Sequence, residues 1–248
     1  MKIKILYGDS NILAINKPSG VFVHPDGKTK EKTITDWVLK NYPKLKGVGE
    51  PITFNEQKID RPGIMHRLDK ETSGVLLLAK NKKAHEFLKN QFKNREVKKI
   101  YNAIVSGWVK NDHGIINKPI GRSPSDFRRR LSGRGARGEL REAITEYKVL
   151  KRFSAQGGSA SGGEAPSNKF TFLEIKPKTG RTHQIRVHMK FLNYPVACDS
   201  LYNPKGFCPA ELGRLALHAK SIEFKNLKGE TIKVESPLPK EFLKLQKK

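Results

Sequence analysis

An α+β fold is predicted for this 248-residue chain by three features of its sequence. Segments with strand character (KIKILYG, NILAINK, KFTFLEIKP) are interspersed with segments whose apolar residues recur at helical spacing (ITDWVLKNYP, KKAHEFLKNQFKN). The two kinds do not follow the strict βαβ order of a parallel sheet. Hydrophobic residues make up 36% of the chain and charged residues 29%, enough apolar material at this length for a substantial core.

The elements follow in chain order. KIKILYG and NILAINK read as strands, KPSG as a turn and VFVHP as a further short strand. ITDWVLKNYP puts Ile34, Val38 and Leu39 on one helical face, and Pro43 ends it. The Gly- and Pro-rich stretch 46–63 reads as loop. GVLLLAK has the unbroken apolar run of a strand buried on both faces. Asn81 is placed to cap a helix carrying Ala84, Phe87, Leu88 and Phe92 on one side. VKKIYNAIVSG returns to strand. EAITEYKVLKRF and KFTFLEIKP read as a hairpin pair, with a low-complexity loop near 154–168 between them. THQIRVHMKFL is helical, with Ile185, Met189 and Leu192 aligned, and LALHAKSIEFKN and GETIKVESP close the chain as strands.

Lys and Arg number 49 against 24 acids, a formal charge of +25. Self-repulsion of that size disfavours the compact state unless a polyanion offsets it, so nucleic acid is the first candidate partner and an anionic membrane surface the second. No stretch is long and apolar enough to span a bilayer. The N-terminus lacks the apolar core of a signal peptide. With only Cys198 and Cys208, a disulfide framework is not expected, and a reducing cytoplasm fits best.

Two clusters carry chemistry. HRLDKETSG (66–74) packs His66, Arg67, Asp69 and Lys70 against the apolar run that follows. An Asp before a strand is commonly a turn residue. Here the neighbouring cations are expected to keep Asp69 ionised, and an ionised carboxylate at a sugar is suited to act as nucleophile or base. Apart from adjacent Glu71 there is no second carboxylate, which argues against two-acid glycosidase chemistry. KTGRTHQIRVHM (178–189) places Arg181, Thr182 and His183 before a helix. Thr179 or Thr182 is expected to cap it, leaving Arg181 at an anion-favouring helix end. Arg181 either touches phosphate there or pairs with Asp69. Tyr101 in KKIYNAIVSG is a core tyrosine on the plain reading. Beside lysines it is also suited to stack on a base. The arginine-rich segment 122–138, with Arg122, Arg128, Arg129 and Arg130, reads as a flexible loop for phosphate contact, and Phe127 within it is suited to stacking or wedging. His183, His188, Cys198 and Cys208 have no metal-ligand spacing. No phosphate-binding glycine motif appears.

These segments resemble the RluA/RluD family of RNA pseudouridine synthases. The similarity runs from NILAINKPSGVFVHP through RPGIMHRLDKETSGVLLLAK, KKIYNAIVSG, PIGR, EAITEYKVL and KTGRTHQIRVHM to RLALHA. It implies a mixed, largely antiparallel sheet with flanking helices and a basic central cleft. It also implies isomerisation of uridine to pseudouridine in ribosomal or transfer RNA, with no cofactor and no metal. Asp69 would be the catalytic aspartate, Tyr101 the active-site tyrosine and Arg181 the basic partner of the aspartate. Arg67 would fill the gap left by the departing base, and Leu217 and His218 would lie near the pocket. A single catalytic domain over 1–248, monomeric and without an obligate protein partner, is expected. The pattern starts almost at Met1, so target selection is expected from that domain or its loops. The family commonly has Gly where Cys198 stands. A non-catalytic RNA-binding protein is the alternative, and a metal-dependent nuclease lacks the carboxylates it would need.

Overall fold

The computed structural model describes residues 1–25, 31–54, 57–133, 135–155 and 168–246. These divide into two compact units, Met1–Lys98 with Ala219–Pro237, and Lys99–His218 with Leu238–Lys248.

In the first unit, β1 (Lys4–Gly8) pairs antiparallel with β2 (Ile12–Lys17), and β2 pairs antiparallel with β5 (Ser73–Ala79). β13 (Leu217–Lys225) lies next in this order and carries β14 (Thr231–Glu235) antiparallel on it. All seven residues of β5 are buried, as its unbroken apolar run predicts. Alternate residues on one face (Ile12 and Ala14, Val75, Leu77 and Ala79, Ile222 and Phe224, with Val234) meet Ala84 and Leu88 of α2 (Lys82–Lys93). Asn81 caps that helix, its side-chain oxygen accepting the Ala84 N–H at 2.9 Å. Burying Leu88 completely contributes about 1.5–3 kcal/mol.

α1 (Ile34–Asn41) is started by a reciprocal capping box between Thr33 and Asp36. It ends one residue before a 3-10 turn at Pro43–Leu45. The VFVHP segment before it is not a strand. Its carbonyls are taken elsewhere: Phe22 and Val23 accept from Ile34 and Thr35 N–H, and Val21 accepts from the Lys17 ammonium. Within 46–63, β3 (Ile52–Phe54) and β4 (Gln57–Ile59) form a small antiparallel pair where only loop was expected.

The second unit holds β6 (Lys98–Ser106, from Lys99), β12 (Lys169–Pro177), β11 (Ile144–Ser154) and β7 (His113–Asn117), in that order and antiparallel throughout. The predicted β11–β12 hairpin is present, its flanks paired up to Ser154 and Lys169; the interior of the predicted loop, 156–167, lies outside the described residues. The helix α3 (Gln184–Phe191) buries Ile185 and Met189 against this sheet's core, together with Phe170, Leu173 and, from α4 (Lys240–Gln246), Phe242.

Two expectations are corrected here. The segment 122–138 is not loop throughout: β8 (Ile120–Arg122) pairs antiparallel with β9 (Arg130–Ser132) on one side and β10 (Arg137–Arg141) on the other, with turns between them. Backbone pairing needs no apolar alternation, and β10 is exposed along its whole length. Cys198 and Cys208 are also not separate thiols. They form a disulfide with Cα atoms 4.8 Å apart. Cys198 adopts φ 58, a left-handed conformation natural to the Gly that the family resemblance places there. Among the described residues no helix is long and apolar enough to cross a membrane.

Candidate active site

In the first unit, the loop His66–Thr72 is fixed on both sides of its carboxylate. Leu68 is 4% exposed and anchors the loop by its side chain, while Asp69 beside it is half-buried and Arg67 is exposed. Lys17, fully buried, donates from its ammonium to the carbonyls of Pro18 (2.8 Å), Val21 (2.7 Å) and Lys70 (2.9 Å). The KPSG turn adds two more ties, Gly20 N–H to the Lys70 carbonyl and the Ser19 hydroxyl to the Glu71 carbonyl. The Asp69 carbonyl accepts the Thr72 N–H at 3.1 Å, closing the turn into β5. Gly74 completes it. Its φ is +112 and a Cβ there would sit 2.2 Å from the Ala219 carbonyl oxygen, so only glycine fits.

The surroundings are cationic. Burial, then Arg61 and Arg67, push His24 down to about 3, so its imidazole stays neutral. Lys70 bridges to Glu31 at 2.9 Å and lies over the Phe22 ring at 4.7 Å. The His66 Nε2 accepts the Leu77 N–H at 3.1 Å and its ring packs on Phe92, so that edge of the imidazole is committed to β5 rather than to a ligand.

In the second unit, Tyr101 is half-buried on β6, opposite Ile175, and packs against the core. Lys99 lies two residues before it, on the same face of the strand. Its Nζ donates to the Thr179 carbonyl at 3.2 Å, and burial pushes it down to about 8. That bond ties the base of β6 to the Thr179–Arg181 corner. The corner is built otherwise than expected. His183, with φ 58, is the N-cap of α3 and offers no side-chain cap. Gln184, the first residue of α3, holds the turn before the helix: its Oε1 accepts from the Thr179 hydroxyl (2.7 Å) and from the Arg181 N–H (2.9 Å). The Arg181 Nε donates to the Glu142 carbonyl at 2.9 Å. A cavity of about 400 Å³ opens here, lined by Arg122, Arg130, Arg141, Arg181 and Thr182 with Glu139. Four guanidinium-bearing residues around one hollow suit phosphate groups.

The RNA pseudouridylate synthase family model matches residues 11–191, most of the chain. An uncharacterised RNA pseudouridine synthase of Bacillus subtilis, YlyB, is 36% identical over 246 residues, covering 99% of this chain and 72% of that one. The ribosomal large subunit pseudouridine synthase D of Borreliella burgdorferi is 40% identical over 243 residues, covering 97% and 67%. The chain belongs to the RNA pseudouridine synthase family. It is an isomerase that converts uridine in RNA to pseudouridine. The fold agrees: the solved human RNA pseudouridylate synthase domain containing 4 superposes with a TM-score of 0.69 at 28% identity, covering 96% of this synthase and 90% of the human chain.

Within the synthase, Arg67, Asp69 and Lys70 share one pinned loop, and Arg122, Arg130, Arg181 and Thr182 share one cavity. Arg128 and Arg129 stand instead at the β8–β9 tip, where Asp126 holds Arg128 at 2.9 Å and lies 3.6 Å from Arg129. Leu217 and His218 are 3% and 1% exposed, at the start of β13. Four residues escape a reading of the sequence. Lys99 is signalled by its position two before Tyr101, and Arg141 by the basic run alone. Lys17 looks in sequence like any turn lysine. Tyr202 is set by Asp199, whose Oδ1 accepts the Tyr202 N–H at 2.9 Å while its carboxylate forks the buried Arg186 at 2.7 and 2.8 Å.

Proposed function

We propose that this synthase modifies large-subunit ribosomal RNA and that Asp69 is its catalytic carboxylate. The observation that carries the assignment is the clamped loop: the backbone around a half-buried Asp69 is held by the fully buried Lys17. A carboxylate held in place before substrate arrives costs no reorganisation during reaction. The ribosomal target is supported by the 40% identity to the Borreliella large-subunit enzyme.

A uridine stacked in a helix hides its glycosidic bond, so the nucleotide must flip out at a cost of a few kcal/mol. Arg67, exposed beside Asp69, enters the vacancy, and the arginines of the second unit hold phosphates. Asp69 then acts on the ribose, by attack on the anomeric carbon or by removal of the neighbouring ribose proton. The bond to uracil N1 breaks, the ring turns, and a bond to C5 forms with loss of the C5 proton. Tyr101 stacks on the turning base and assists that proton's departure, and Arg181 holds phosphate with the other arginines of its cavity.

Because C5 loses its hydrogen, tritium release from ribosomal RNA labelled at uracil C5 measures the reaction. Asp69→Asn is expected to abolish release while RNA affinity stays within about twofold; retained turnover excludes Asp69. Release from transfer RNA and not from ribosomal RNA would move the target to the other substrate.

A further inference from the structure

Cys198 and Cys208 bracket the stretch of chain that braces the basic cavity of the second unit. The segment between them is built of turns, and their bond staples its two ends together. Its first residue, Asp199, is 1% exposed. The Asp199 carboxylate accepts from Arg186 Nε and Nη2 at 2.7 and 2.8 Å, and its Oδ1 also accepts the Leu201 and Tyr202 N–H at 2.9 Å. Those bonds set the Tyr202 ring against the Arg186 guanidinium, 5.1 Å away. The Tyr202 hydroxyl then accepts the Arg130 N–H at 2.8 Å and meets His183 Nδ1 at 3.0 Å. Arg130 lines the cavity, and so does Thr182, the neighbour of His183. A continuous set of bonds thus runs from the disulfide to the lining of the cavity. The joint nearest the sulfurs is Cys198 itself. At φ 58 it holds a left-handed conformation that side chains with a Cβ rarely adopt, and such a residue stays there only while its surroundings over-determine it. Cys208 stands exposed, within reach of an attacking thiolate.

We propose that the Cys198–Cys208 bond is a redox-modification site whose reduction by a dithiol slackens the Tyr202 brace and weakens the hold of the cavity on phosphate. One thiolate of the dithiol attacks the Cys208 sulfur. The bond between the two cysteines breaks, and its electron pair leaves with Cys198, which takes up a proton. The second thiol of the reagent then displaces Cys208, which takes up the second proton, as the dithiol closes to its own disulfide. Two electrons and two protons pass to the protein. Relieved of its cross-link, Cys198 relaxes toward negative φ and turns Asp199, and with it Tyr202, away from Arg130. The proposal rests on the phosphate-binding reading of the cavity and adds to it a control by thiol–disulfide state.

The test uses the full chain, oxidised or reduced with dithiothreitol, at a temperature where both forms are folded. Two readouts are taken: binding of a single-stranded uridine decamer, and hydrogen exchange of the Arg130 amide, whose N–H the Tyr202 hydroxyl accepts. Alkylation is expected to label neither cysteine before reduction and both after it. Reduction is expected to weaken decamer binding about tenfold, the equivalent of one charge-assisted hydrogen bond, and to speed Arg130 exchange by at least about as much. Tyr202→Phe is expected to bind like the reduced protein and to ignore dithiothreitol. Cys208→Ser is expected to match the reduced protein. The double variant Cys198→Gly with Cys208→Ser separates the brace from the mere loss of a cross-link. It has no disulfide, but glycine takes φ 58 without one, so binding and Arg130 exchange are expected within about twofold of oxidised wild type. Equal measurable binding of the two wild-type forms overturns the proposal, as does equal Arg130 exchange, a double variant that matches Cys208→Ser, or cysteines alkylated before reduction. If neither form binds the decamer, the phosphate reading falls, while Arg130 exchange still decides whether the disulfide holds the brace.

Discussion

Replacing Lys17 by Met tests whether the Asp69 loop is held from below. The ammonium is 0% exposed and donates three bonds of 2.7–2.9 Å. After substitution the Lys70 carbonyl keeps its bond from Gly20 N–H, but the Pro18 and Val21 carbonyls lose this donor. Each buried acceptor left in this way costs about 1–3 kcal/mol. Removing a buried charge returns part of that sum, because the ammonium no longer has to be desolvated. The balance is a loss of about 2–4 kcal/mol, read as a lower urea midpoint with unchanged slope. The functional effect is separable. The Lys70 carbonyl belongs to the residue after Asp69, and a catalytic group misplaced by about 1 Å costs about 100-fold in rate. Under conditions where the variant is fully folded, kcat for tritium release is therefore expected to fall about 100-fold with a smaller change in KM. A wild-type urea midpoint would refute the energetic argument. A lowered midpoint with kcat within about twofold of wild type would refute the clamp.

Protonation of His24 should limit stability in acid. Burial, with Arg61 and Arg67, holds its pKa at about 3, against 6.5 for an ordinary imidazole. The unfolded chain takes up this proton below about 6.5 and the native state does not. The contribution is therefore complete above that pH and is lost on acidification toward 3, at up to about 1.4 kcal/mol per pH unit. His24→Gln is expected to flatten the urea midpoint between pH 6.5 and 4, and an unaltered profile would exclude His24 as the cause. The Cys198–Cys208 bond closes a segment with a sequence separation of 10, worth roughly 2–3 kcal/mol by loop entropy. Cys208→Ser should lower the urea midpoint of the oxidised protein accordingly, and dithiothreitol should lower that of wild type but not of the variant. Arg122→Ala is expected to reduce the slope of log binding constant against log salt by about one, whereas Lys17→Met should leave that slope alone; equal slopes for Arg122→Ala and wild type would remove Arg122 from the phosphate contacts.

Elements with strong periodicity are legible in the amino-acid sequence. β2, β5, the β11–β12 pair and α2 with its Asn81 cap all lie where alternation, apolar runs and cap chemistry put them. The misses share a cause, which is that partners distant in sequence decide the outcome. VFVHP has strand composition, yet its carbonyls serve the start of α1 and the Lys17 ammonium. The arginine-rich segment has no apolar alternation, yet its backbone pairs on two sides of β8. The helix cap expected from Thr179 or Thr182 is not made by any side chain, because a left-handed His183 stands at the N-cap, and Gln184 holds the turn before the helix instead. Asp69, Tyr101 and Arg181 are legible as residues, since each sits in a dense motif, but the devices that hold their surroundings are not.

The cations make the same point from the side of energetics. In sequence, Lys17 and Arg186 count toward a charge of +25 no differently from Arg67 or Arg122. In the fold their roles differ. Lys17 commits its ammonium to three carbonyls at 0% exposure, and Arg186 forks a carboxylate that is itself buried and that also fixes Tyr202. Neither has a charge left to offer a phosphate. The exposed arginines can meet a polyanion, but an exposed guanidinium on a flexible stem contributes attraction without geometry. An enzyme that must evert one nucleotide needs both properties, long-range attraction and a fixed reacting group, and a single charge cannot supply them together. The synthase therefore assigns them to different residues. Buried cations set the shape of the Asp69 loop and of the Tyr202 brace, and the surface cations are left free of that task.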